Sequence, residues 1–284
     1  MIRRALFRIL APVRWLLSPF TRGFRSIKSF FSSQPEDATL ADSLQKAVEN
    51  PYGILEHLNA LRKHVFRAFV GLALATVLAF VFVTPILDLL SEPVGGIEHL
   101  QAIDVTEPIG VVMRVSLLVG FTLALPYIAL ELLLFIAPAL KPKGRLVGIL
   151  GIPLVFAFFL AGMAFSFLYL MPAALPVLLN FMGIPTMPRP SSYIQFVTGL
   201  MFWIGVAFEM PLLSYLLASM GLLKGQVLVT NWRLAVLLIA VLAAMITPTI
   251  DPVNMLIVML PLVILYGLSI IMAYIARPRR LAVA

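Results

Sequence analysis

The sequence predicts an all-α membrane protein: six kinked transmembrane helices with the N and C termini cytoplasmic. Three observations carry this. Hydrophobic residues make up 61% of the 284-residue chain and charged residues only 12%, a composition unlike that of water-soluble domains. The apolar residues fall in continuous runs of membrane-spanning length and do not alternate at period two, which argues against a β-barrel. Lys and Arg collect in every second connection, the pattern of cytoplasmic loops. The net charge of +8 is therefore read as membrane topology, and no nucleic-acid partner is expected.

Residues 1–50 form a separate unit. Arg3, Arg4, Arg8, Arg14, Arg22 and Arg25 are interleaved with Leu, Ile, Trp and Phe. This predicts a basic amphipathic helix on the cytoplasmic membrane face, broken at Pro12 and Pro19. Its apolar core is too interrupted for a cleaved signal. Residues 32–50 read as a polar linker, 51–276 as the six-span membrane domain, and 277–284 as a short basic cytoplasmic tail.

The first span covers 64–87 and is flanked by Arg62, Lys63 and Arg67. The loop after it, 88–108, holds Asp88, Glu92, Glu98, Asp104 and Glu107 and no Lys or Arg. A second span follows over 109–140. Counted from Pro108, an unbroken helix there would reach about 48 Å against an apolar core of about 30 Å, so a tilt, a projection or a kink at Pro126 is expected. Lys141, Lys143 and Arg145 return the chain to the basic side. The third span is 146–171, and segment 172–192 offers only Arg189. Span four, 193–220, leads to Lys224 and Arg233. The fifth, 233–247, spans only about 20 Å and would thin the bilayer or lean on neighbours. Asp251 marks the next turn, and span six, 253–275, ends before Arg277, Arg279 and Arg280. Prolines at 85, 126, 153, 211 and 261 predict bent helices.

Two acids lie inside spans, Glu131 and Glu209. An ionised carboxylate near the bilayer centre costs at least a few kcal/mol, so such residues mark functional sites by default. The structural alternative for each is an acid satisfied by a packed neighbour. Glu131, Phe135 and Pro138 share one helical face by their spacing. Glu131 and Glu209 are expected to form a polar pocket and partner contact within the membrane. Arg114, near the outer end of the second span, is a candidate partner for an outer-loop acid. There is no cysteine, the three histidines lack ligand spacing, and no Ser/His pair or HExxH motif is present. Neither catalysis nor a metal or other cofactor is expected.

Several stretches resemble the TatC family, the multi-spanning subunit of the twin-arginine (Sec-independent) protein translocase. They are "HLNALRKHVFR" (57–67), "LSEPV" (90–94), "AIDVTEPIGVVMRVSL" (102–117), "FIAPALKPKGRL" (135–146), "GVAFEMP" (205–211) and "ITPTIDPVNML" (246–256). The resemblance implies a concave, glove-like arrangement of six kinked helices in the cytoplasmic (inner) membrane. It implies a receptor for signal peptides of folded proteins, which assembles with TatA- and TatB-type single-span partners and further copies of itself. Export would be driven by the proton-motive force. Leu61, Arg62, Phe135, Pro138 and Arg145 match the signal-peptide region. Glu209 matches a pocket acid, and Pro93, Glu107, Arg114 and Asp251 fall in or beside the outer-loop motifs.

Three family glutamates are absent: Ala60, Gly144 and Gly267 stand in their places. The first two are the expected partners of the signal's arginines, and neither Ala nor Gly can make a bidentate Arg–carboxylate contact. A divergent paralogue with altered or lost recognition is the alternative. A proton-coupled secondary transporter using Glu131 and Glu209 is a further one, although no internal repeat is visible.

Overall fold

The computed structural model describes residues 51–140, 142–180, 188–247 and 252–276. The amphipathic segment and linker expected over 1–50, Asp251 and the basic tail from Arg277 lie outside the described residues. Those described fold into helices, with no strand among them.

Proline placement explains most helix ends. Helix α1 (Pro51–Ala79) gives way to a 3₁₀ turn at Phe80–Phe82 before α2 (Val83–Ser91). Pro85 has no N–H, and its ring crowds the Val81 carbonyl four residues back, so α geometry fails there. Beyond α2 the chain reverses through Gly95 and Gly96, at φ 91° and 100°, a left-handed region that glycine enters without a Cβ clash. Helix α3 (Glu107–Ile136) carries Pro126 internally. It stops short of the expected 140 because the chain tightens into a 3₁₀ turn, Ala137–Ala139, around Pro138.

Helix α4 (Pro142–Phe165) continues through a π-turn, Ser166–Leu170, into α5 (Met171–Leu179). The wider π-turn accommodates Pro172, which cannot donate to the Leu168 carbonyl. The third span thus runs to Leu179, past its expected end at 171. Helices α6 (Pro190–Phe208) and α7 (Met210–Ser219) make the fourth span, interrupted at Glu209. Pro211 forces that break, since it would face the Ala207 carbonyl. A short α8 (Gly225–Thr230) precedes α9 (Trp232–Ile246) and α10 (Pro252–Ile275). Among the described residues five helical runs are long and apolar enough to cross a membrane, and Trp232–Ile246 is shorter, as the sequence predicts.

The chain divides into two compact units, one from residues 1–71 with 127–149 and one from 72–126 with 150–284. In the first, Gly71 faces the Tyr127 ring, which a Cβ would meet at 2.5 Å. In the second, α7 and α9 pack on α10 around a core including Ile194, Ile204, Ala243 and Val258. A close backbone approach there is Gly162 to Gly205, where a Cβ on Gly162 would lie 2.8 Å from the Gly205 Cα, and a closer one is Gly120 to Thr76, where a Cβ would lie 2.5 Å from the Thr76 Cα. Small residues let membrane helices approach this closely. Val81, Met245 and Leu260 are largely exposed, as lipid-facing residues should be.

Candidate functional site

The first unit joins α1 to the end of α3. His57 stacks against Phe135 with ring centroids 4.7 Å apart, and His64 meets the same ring edge-on at 6.1 Å. Leu61, Arg62 and Pro138 remain exposed beside this aromatic contact. Ala60 is half-buried. A Cβ on Gly144 would meet only Leu140, at 3.6 Å, so a larger side chain fits there.

Glu131 lies at the centre of this unit, 2% exposed. Its Oε2 is hydrogen-bonded to His64 Nδ1 at 2.6 Å, and the Tyr127 hydroxyl donates to Oε1 at 2.9 Å. Arg67 adds a cation 3.8 Å from Oε2. The burial penalty of the acid is thus offset by three polar groups from two helices. Sequence reasoning missed His64, Arg67 and Tyr127. The signal was available for Tyr127, four residues before Glu131 on one helical face.

Arg145 is 3% exposed. Its Nε donates to the carbonyls of Ala137 at 3.0 Å and Leu140 at 3.2 Å; the Ala137 oxygen also accepts the Leu140 N–H that closes the 3₁₀ turn. Its guanidinium therefore holds the turn around Pro138 in shape.

In the second unit Glu209 occupies the break between α6 and α7. It is 8% exposed, and neither carboxyl oxygen accepts or donates a hydrogen bond. Gly267 has nothing within 4 Å of a Cβ position.

Glu107, at the start of α3, is buried, and its Oε1 accepts from Arg189 and, at 3.3 Å, from Ser191. Among the described residues Arg114 makes no ion pair; the acid at its end of α3, Glu107, goes to Arg189. Pro93 is exposed in the 3₁₀ turn Glu92–Val94.

These features define a polytopic helical membrane protein with buried carboxyl groups on its second and fourth spans. Residues 56–261 match the family described as "Sec-independent protein translocase protein (TatC)". TatC of Carboxydothermus hydrogenoformans is 32% identical over 234 residues, 81% of this chain and 96% of its own. TatC of Deinococcus radiodurans is 32% identical over 255 residues, covering 86% and 93%. A crystal structure of the twin-arginine translocase receptor TatC aligns with a TM-score of 0.68 at 27% identity, over 78% of this chain and 99% of that one. The chain belongs to the TatC family. That membership sets aside the secondary-transporter alternative.

Proposed function

We propose that the protein is the receptor subunit of a twin-arginine translocase. It sits in the cytoplasmic membrane with both termini cytoplasmic and binds the signal peptides of folded proteins. It assembles with TatA- and TatB-type single-span partners and with further copies of itself, and the proton-motive force drives export. The observation that supports this reading best is the meeting of two segments in one unit. Residues 57–67 and 135–146, the stretches that resemble the family's signal-contact motifs, come together through His57 and Phe135. Arg62 and Pro138 are left accessible beside them. Glu209, buried with both oxygens unbonded, suits a hydrogen bond to a partner's transmembrane helix. The chain's part is binding and assembly; no catalytic step is assigned to it.

Ala60 and Gly144 favour a second form of this reading, a paralogue with altered recognition. Glu131 cannot readily replace the missing acids, because its oxygens are already engaged by His64 and Tyr127. An ordinary twin-arginine signal should therefore bind weakly. Crosslinking to a labelled signal peptide, with its Lys–Lys variant as control, tests both forms. Ala60→Glu with Gly144→Glu should tighten binding by up to about 1.5–3 kcal/mol per charge-assisted contact. Strong arginine-dependent binding by the unmodified chain would remove the altered-recognition form. Failure of both chains to bind any signal would remove the receptor reading itself.

A further inference from the structure

We propose that a groove in the second unit binds one phospholipid, with Arg114 on its phosphate and one acyl chain along an aromatic wall. The groove has a volume of about 640 Å³ and lies between α3 and α6, bordered by α9. Its lining changes character with depth. Arg114 and Gln195 stand near the starts of their helices, and Phe121, Phe202 and Trp203 lie further along. The two helix starts are level, because Arg189 and Ser191 at the head of α6 both bond Glu107 at the head of α3. At about 1.5 Å per residue, Arg114 is about 10 Å and Phe121 about 21 Å from that common level. Phe196 apart, which lies beside Gln195, polar groups near the end and aromatic ones deeper in is the order of a lipid's headgroup and chain.

Charge selects the occupant. Arg114 is exposed to the groove yet makes no ion pair among the described residues, and the acid at its end of α3 is held by Arg189. A guanidinium inside a span needs water or an anion, and its planar donors match a phosphate in bidentate fashion. A phosphodiester with one chain is within the usual range for small-ligand pockets.

Native mass spectrometry of the full chain, purified in detergent and titrated with phosphatidylglycerol, diacylglycerol or inorganic phosphate, tests this. One phosphatidylglycerol should be retained, and neither diacylglycerol nor inorganic phosphate should displace it. Arg114→Gln should lower retention about tenfold or more, as expected for loss of one charge-assisted contact, and Arg114→Lys should recover part. Gly199→Leu supplies an independent variant. Gly199 lines the groove, and its Cβ position has nothing within 4 Å, so a Leu there fills chain space and should also reduce retention. A chain-brominated phosphatidylglycerol should quench Trp203 in a Trp15→Phe, Trp232→Phe background, and Arg114→Gln should diminish the quenching. Unchanged retention in both Arg114→Gln and Gly199→Leu would overturn the proposal. So would displacement by inorganic phosphate, which makes it an ion site, or equal retention of diacylglycerol, which makes it a greasy crevice.

Discussion

His64 and Glu131 stand 67 residues apart in the chain, yet Nδ1 and Oε2 meet at 2.6 Å. The contact ties the first helix to the second span within one unit, and Arg67 and Tyr127 close around the same carboxyl group. Each partner is positioned by a different turn, so the cluster fixes both the rotation and the depth of the two helices.

Removing His64 should therefore destabilise the protein through the acid it leaves behind. His64→Leu is expected to cost about 1–3 kcal/mol, the penalty for a buried polar group losing a partner. In a Glu131→Gln background the same change should cost less, with a coupling of at least about 0.5 kcal/mol. Unfolding in detergent for the four chains of the cycle measures it; strict additivity would mean the contact contributes nothing.

Helix contact at Gly162 gives a second expectation. Gly162→Ala places a methyl 2.8 Å from the Gly205 Cα and 3.0 Å from the Ile204 carbonyl, backbone atoms that cannot swing aside. Overpacking of this kind costs about 1–3 kcal/mol. Gly151→Ala, with open space around its Cβ, should be neutral or slightly stabilising. Thermal unfolding of the pair separates crowding from a general intolerance of alanine.

Glu209 should show opposite effects on stability and assembly. Its carboxyl is buried without hydrogen bonds, so Glu209→Leu should stabilise the isolated protein by about 1–3 kcal/mol. The same change should reduce co-purification of single-span partners, and Glu209→Gln, which keeps a donor, should preserve it. Full partner recovery with Leu would reduce the acid to a tolerated residue.

Glu107 and Arg189 predict an asymmetric pair of variants. Arg189→Ala leaves a buried acid with Ser191 alone at 3.3 Å, and about 1–3 kcal/mol of stability should be lost. Glu107→Gln should cost less, because half-exposed Arg189 can turn to water. Equal losses in unfolding experiments would contradict this account.

Orientation is testable because the chain has no cysteine of its own. Single cysteines at positions 98 and 187 should react with an impermeant reagent added outside intact cells. Those at 143 and 226 should react only after permeabilisation. Outside labelling at 143 would reverse the proposed topology.

Much of the fold was legible because its causes are local. Pro85, Pro138 and Pro211 each remove a donor and crowd a carbonyl four residues back, so they mark breaks wherever the helices pack. The third span is expected to end at 171, but a π-turn at Ser166–Leu170 carries the helix past Pro172 to Leu179. Glu131 and Glu209 stood out from sequence by their cost in an apolar run. Their surroundings did not: one proved saturated with partners and the other bare. Arg145 matched the signal region by motif, yet its Nε is committed to the carbonyls of its own turn.

The sequence by itself determined the number of spans, the short fifth helix, the proline breaks and the family. Those follow from apolar length, backbone chemistry and motif order, which act over a few residues at a time. Only the tertiary structure decided that His64 and Arg67 face Glu131, that Arg189 takes Glu107, and that Arg114 opens onto a groove. Such pairings depend on the rotation and depth of helices joined by long connections. A turn of about 100° per residue moves a side chain to a different neighbour, and the packing of the helices sets that angle.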